Sequence, residues 1–273
     1  MVCRMYPRSV KKGKVHELSC SGSCEETLEL LMKNTEKIHF EKIELEMPEY
    51  VGVSSNTETP ERVSVRRRTI EKMCDRAEPL SIRLYTIGKI VCGASENAPE
   101  IEKIPVPFGE NEIFSLTKII LRFEQISDAL RECAESALLN IGITQENYID
   151  SGVISASLGK YIAAREHFYT LFPDADVYFE KIMTNHMFYE QFPYADFDER
   201  CEDAYLALCA AYAMLKFICV AYMADKSEKA DLVHAAGEIF RFVEHTDFYR
   251  NAMFALKKEG YETPESVFAL ICL

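Results

Sequence analysis

The chain has 273 residues, of which 48% are hydrophobic and 27% charged, the balance of an ordinary globular protein with ample material for a core. A formal net charge of −13 argues against sequence-independent nucleic-acid binding, because neutralising phosphates takes a basic surface. Ten cysteines are scattered through the chain, and Cys133, Cys209, Cys219 and Cys272 lie within apolar helical runs, as buried reduced thiols do in the cytoplasm. The opening MVCRMYPRSVKKGK has no apolar core of a secretion signal, which agrees with that location.

Residues 1–24 read as irregular, with Arg4, Arg8, Lys11, Lys12 and Lys14 gathered in an otherwise acidic chain. Ser23 followed by Glu26 predicts a capping box for a short helix over 24–33. Ile38 and Phe40, then after a slip Ile43, Leu45 and Met47, alternate with polar residues. That pattern fits one or two short strands, or an extended arm lying on a helical body. From Thr59 the chain reads as helix. Thr59-Pro60 supplies an N-cap and a proline at the first helical position for a helix to about Arg76, and Pro79 opens another over 80–91. Pro99, Pro105 and Pro107 make 93–110 a linker and a natural sub-boundary. Helices are then predicted over 111–138, 155–170, 174–191, 198–224, 228–246, 248–258 and 264–272, with Ser227 capping the helix at 228 and Thr263-Pro264 opening the last. The expectation is an all-α protein: an N-terminal segment over 1–58 and a helical domain over 59–273.

The stretch Ala204–Ala224 is the predicted centre of that domain. It carries one charge, Lys216, and its seven alanines keep it thin. Tyr205, Leu208, Tyr212, Leu215, Cys219 and Tyr222 recur at alternating spacings of three and four, one stripe of a helix. The other faces are apolar too, so the helix is buried all round. Its length would let it span a bilayer, but Lys216 near the middle would cost about 2.5–3.5 kcal/mol there. We therefore read a core helix, with no membrane association, in which Lys216 reaches solvent at a helix end or pairs with an acid.

Familiar catalytic machinery is absent from the sequence. There is no glycine-rich phosphate loop, no Gly-x-Ser-x-Gly elbow and no His-Glu-x-x-His pair, and the six histidines never fall at ligand spacing on one helix face. A Rossmann-type dehydrogenase or methyltransferase is disfavoured. His245, at the end of a predicted helix, suits the helix dipole. Cys3, Cys20 and Cys24, with His16 among them, lie in a loop-rich segment, where thiolates can converge on one ion. They are the candidate metal ligands, with unpaired thiols as the alternative.

Cys3-Arg4-Met5-Tyr6-Pro7-Arg8, then Leu18-Ser19-Cys20 through Cys24-Glu25-Glu26-Thr27-Leu28, resemble a segment of the flagellin lysine-N-methylase family. In that family a Cys-Arg-x-Tyr-Pro-Arg motif closes a cysteine-rich, iron–sulfur or zinc-type module. Arg83-Leu84 with Gly88, then Glu180, Asn185, Phe188, Phe192 and Pro193, fall in register with further family runs. The apolar helix with its single lysine, and Phe240 with Glu244-His245, do the same. Glu25 and Lys181 stand where the family has proline and asparagine. The family carries its other cluster cysteines upstream, so the resemblance leaves an incomplete ligand set here.

The resemblance implies S-adenosylmethionine-dependent methylation of flagellin lysines, and an iron–sulfur cluster or zinc as a further cofactor. Such chemistry needs a deprotonated amine, and carboxylates or aromatic faces around a cationic sulfur, which Asp196, Asp198, Tyr205 and Tyr212 would supply. No catalytic base or cofactor pocket is legible. Two readings follow: a methylase that is active or formerly active, or a truncated, non-catalytic helical binding protein.

Overall fold

The structure, a computed structural model, describes residues 6–11, 16–44, 59–93, 108–122, 126–194 and 200–273. Among them it is all-α, with eleven helices and one two-stranded antiparallel sheet. The centre is helix α8 (Cys201–Tyr222), continued by a 3-10 turn over Met223–Asp225, and every residue from Asp203 to Ala221 in it is buried. Against it lie α3 (Leu80–Val91), α5 (Asp128–Asn140), α6 (Ser151–Leu171), α9 (Lys229–His245), α10 (Phe248–Lys258) and α11 (Pro264–Cys272). Its alanines let these neighbours come close, and the sequence length that would suit a bilayer serves the protein core instead: 94% of its most apolar window is covered by protein.

The helix boundaries follow their caps. Thr59 accepts from the Arg62 amide to start α2 (Pro60–Met73), and Thr263 with Ser266 forms a capping box at α11. The helix expected over 111–138 is two, α4 (Glu110–Arg122) and α5, because the Ser127 hydroxyl accepts from the Leu130 amide and starts a new helix. Asp150 caps α6 through the amides of Gly152 and Val153, four residues earlier than expected. Gly260, at φ +89°, ends α10 where a side chain would be strained.

Two expected caps are not formed. Ser227 does not cap α9, whose N-cap is Glu228 without a side-chain bond. Helix α1 (Glu25–Leu31) has Cys24 at its N-cap, again without a side-chain bond, because Ser23 is engaged by distant partners.

The strands also lie elsewhere than expected. Arg8–Lys11 (β1) pairs with Glu17–Cys20 (β2), Arg8 opposite Cys20 and Lys11 opposite Glu17, in the segment that reads as irregular. Residues 36–44 form no strand, and the extended-arm alternative describes them: Phe40 lies against Phe188 of α7 (Ala175–Tyr189), ring centroids 4.5 Å apart. Leu45, Met47 and the linker prolines lie outside the described residues.

Candidate functional site

Two places gather the residues that the sequence singles out. The first is the seat of the N-terminal hairpin. After β2 the chain turns at Ser21, Gly22 and Ser23 against α7 and α9. The carboxylate of Glu244 accepts from the Ser21 hydroxyl at 2.5 Å and from the Gly22 amide at 3.2 Å. The oxygen that takes the Gly22 amide, Oε1, also meets His186 Nδ1 at 3.2 Å, and both side chains are fully buried. Tyr249 of α10 closes the chain on His186 Nε2. Ser23 Oγ is 2.9 Å from His245 Nε2, and Asn185 donates to the Cys20 carbonyl at 2.9 Å. Gly22 is needed here, since a Cβ would come within 3.1 Å of the Phe240 ring. Arg66 adds a bidentate bond to Glu17 at 2.7 and 3.1 Å. His245 thus finds a specific hydroxyl partner beyond a helix terminus.

Arg83, Gly88 and Glu180 form the frame between. Glu180 is buried and receives Arg83 Nη1 at 2.7 Å and a two-nitrogen fork from Arg76 at 2.8–3.0 Å. Gly88 faces the buried Tyr205 ring so closely that a Cβ would lie 2.4 Å from its Cζ. Tyr205 is therefore core packing. Asp196 and Asp198 lie outside the described residues.

The candidate metal ligands are brought together only in part. Cys20 ends β2 and Cys24 caps α1, near enough for Cys24 to add to the rise of the Cys20 pKa, and His16 is exposed. Burial holds the Cys20 thiol above its ordinary range, against the pull of Arg8. Among the described residues no three His, Cys, Asp or Glu side chains converge as a metal site, and Cys3 lies outside them. Two thiols are half a ligand set, so the described residues do not fit a zinc ion or an iron–sulfur cluster, and no chemistry is derived from one.

The second place is a cavity of about 480 Å³ where α3, α6, α7, α8 and α11 meet. Tyr212 and Lys216 project into it from α8, Arg165 and Tyr169 from α6, Asp176 from α7 and Cys272 from α11, with Phe108 on the wall. Lys216 is 5% exposed and makes neither a hydrogen bond nor an ion pair among the described residues; its Nζ lies 5.8 Å over the Tyr212 ring. Among the described residues it neither reaches solvent at a helix end nor pairs with an acid, which departs from both expectations. Burial, then Arg165, lower its pKa to about 8, against a weaker opposing pull from Asp176. Asp176 is occupied by the Tyr169 hydroxyl at 2.6 Å. The Arg165 guanidinium lies over the Phe108 and Tyr169 rings at 5.2 and 5.9 Å. Of the cavity's residues the sequence reading proposed Tyr212 for a site and noted Lys216. Arg165 and Tyr169, four apart on α6, were signalled by nothing but their spacing.

The model of the FliB lysine N-methylase C-terminal domain family matches residues 98–270, well over half of the chain. The chain belongs to this family. The match takes in α4 to α11 and so the whole of the α8 core, Glu180, Glu244 and most of the cavity lining. No curated protein and no solved structure matches the chain. The family relationship therefore rests on the sequence signal of the helical domain, and the hairpin seat connects the resemblance at Leu18–Leu28 to that domain through Asn185, Glu244 and His245.

Proposed function

We propose that the chain binds S-adenosylmethionine in the α8 cavity and transfers its methyl group to lysine side chains of flagellin. Membership of the FliB lysine N-methylase family carries this reading. The cavity supports it by its donor set and size. Its volume falls in the roughly 300–1,000 Å³ of small-molecule sites. Two cations without ion-pair partners among the described residues, Lys216 and Arg165, suit a carboxylate, the Asp176 carboxylate suits an ammonium or ribose hydroxyls, and the faces of Phe108, Tyr169 and Tyr212 suit an adenine ring and a sulfonium. These residues fit the cofactor.

When bound, the cofactor would supply an electrophilic methyl on a positively charged sulfur, which a neutral lysine nitrogen would take as the C–S bond gives up its electron pair to a thioether and the amine's extra proton goes to solvent. The protein's part is to hold, orient and dry the site. Pro79, Leu80 and Phe108 keep one wall apolar, which strengthens electrostatic contacts inside. Asp176, steadied by Tyr169, is the carboxylate available to face developing or existing positive charge. The nine free cysteines among the described residues suit a reducing compartment, in keeping with action in the cytoplasm.

The test is incubation of the purified chain with flagellin and methyl-labelled S-adenosylmethionine, read by the mass of flagellin peptides. Gains of one methyl mass on lysine-containing peptides are expected. Absence both of label transfer and of cofactor binding would overturn the reading.

A further inference from the structure

Among the described residues, the lining of the α8 cavity carries more positive than negative charge. Lys216 sits in the middle of the most apolar helix of a chain whose net charge is −13. A buried ammonium is ordinarily paired, because removing it from water costs several kcal/mol. Here it is 95% covered, has no hydrogen-bonding or ion-pair partner among the described residues, and lines an open volume. Arg165 lines the same volume and, among the described residues, is likewise held by ring faces and not by an acid. Asp176 is the acid of the lining, and its Oδ1 is taken by Tyr169. Counting Lys216 and Arg165 against Asp176, the described lining carries one positive charge in excess, which suits a carboxylate on a ligand.

Resting on the methylase reading above, we propose that Lys216 and Arg165 together form the subsite for the α-carboxylate of S-adenosylmethionine, so that the helix at the heart of the fold reads the amino-acid end of the cofactor. A guanidinium presents a planar fork that matches a carboxylate, and an ammonium adds a compact second charge from the other side. The phenol of Tyr212 stands beside Lys216 on the same helix face and restricts where the ammonium can point. Placing the carboxylate there leaves the aromatic walls for the nucleoside. It also gives a reason for a lysine where a leucine would pack: the carboxylate of the ligand faces Lys216 and Arg165, while its ammonium and sulfonium are left to Asp176 and the ring faces.

Titration calorimetry on the full chain, at pH 7, with S-adenosylmethionine and with its decarboxylated analogue, separates this subsite from cofactor binding in general. The intact protein is expected to bind the carboxylate-bearing form at least 10-fold more tightly. In Lys216→Met that preference should collapse to within about 3-fold, as one charge-assisted contact of 1.4 kcal/mol or more corresponds to a factor of 10. The analogue should bind the variant and the intact chain alike. Arg165→Met should lose part of the same preference. Equal affinity of the intact chain for both compounds, or a preference that survives Lys216→Met, would overturn the subsite and leave the methylase reading standing. Failure of the intact chain to bind either compound would overturn the subsite, and together with absence of label transfer it would overturn the methylase reading as well. Urea unfolding of Lys216→Met accompanies the titration, so that lost affinity in a fully folded variant counts as support.

Discussion

Replacing Glu180 by glutamine takes a buried charge from between two arginines. Glu180 is 1% exposed, Arg83 beside it 5%, and Arg76 27%. With the carboxylate gone, the Arg83 guanidinium keeps the Met73 carbonyl at 2.6 Å but no counter-charge nearby, and it is too deep to be hydrated. Removing one partner of such a buried pair costs about 3–5 kcal/mol, a large part of the roughly 5–15 kcal/mol that holds a domain folded. Arg76 is less demanding, because water reaches it and its Nη1 also holds the Thr35 carbonyl. The double variant Glu180→Met with Arg83→Met removes both buried charges, and its cost should be smaller than that of Glu180→Gln alone. Urea unfolding followed by circular dichroism at 222 nm measures both. A Glu180→Gln variant within 1 kcal/mol of the parent, or a double variant less stable than the single, would refute this account of α2, α3 and α7 being pinned by one carboxylate.

Gly88→Ala should destabilise by about 1–3 kcal/mol, since its new Cβ would collide with a rigid, buried ring, and the same substitution made in a Tyr205→Ala background should cost less in thermal melts. Glu244→Ala should release the hairpin: hydrogen exchange is expected to speed up at Ser21–Cys24 while the α8 amides keep their protection, and equal exposure of both would contradict a local role. Lys216→Met should raise stability at pH 7 by about 3 kcal/mol at most, because a lysine pKa brought from 10.5 to about 8 means the folded state disfavours the charged form. The sign follows from proton counts. Between pH 8 and 10.5 the unfolded chain holds the proton and the folded chain does not, so the advantage of the variant is full below pH 8 and fades as the pH rises to 10.5. Cys272, the cavity tyrosines, Asp176 and Arg165 face the same space but are common to both proteins, so the difference between two urea titrations isolates Lys216. A variant less stable than the parent at pH 7 would show that the ammonium is compensated after all.

The helices were legible because local rules decide them. Thr59-Pro60 and Thr263-Pro264 act within one turn, and the three-four stripe of α8 needs no partner to be recognised. What failed was whatever depended on distance in the chain. Ser23 has the spacing of a cap, yet its hydroxyl is claimed by His245, and no local pattern announces a partner 222 residues away. The hairpin of β1 and β2 is short, and only Val10 and Leu18 in it give an apolar alternation. The cavity illustrates the same limit. Lys216 stands out in sequence as a lone charge, but whether an acid from another helix meets it is a tertiary fact. Asp176 comes near enough to influence it without bonding to it. The resemblance flagged Arg83, Glu180, Asn185 and Glu244 singly, and the fold turns them into two joined sets of contacts, one fixing the frame and one seating the hairpin.

The contact between Ser21 and Glu244 spans 223 residues, and it has a consequence for how the protein is made. Synthesis runs from the N-terminus at about 5–20 residues per second, so the hairpin emerges from the ribosome about 10–45 s before its seat on α9 exists. Throughout that interval its strands have only each other, and a lone two-stranded hairpin is marginal in water. Whatever binds residues 6–24 early, a chaperone or a ligand of the two cysteines, therefore has first access to them. The last helices to be translated decide when that access ends.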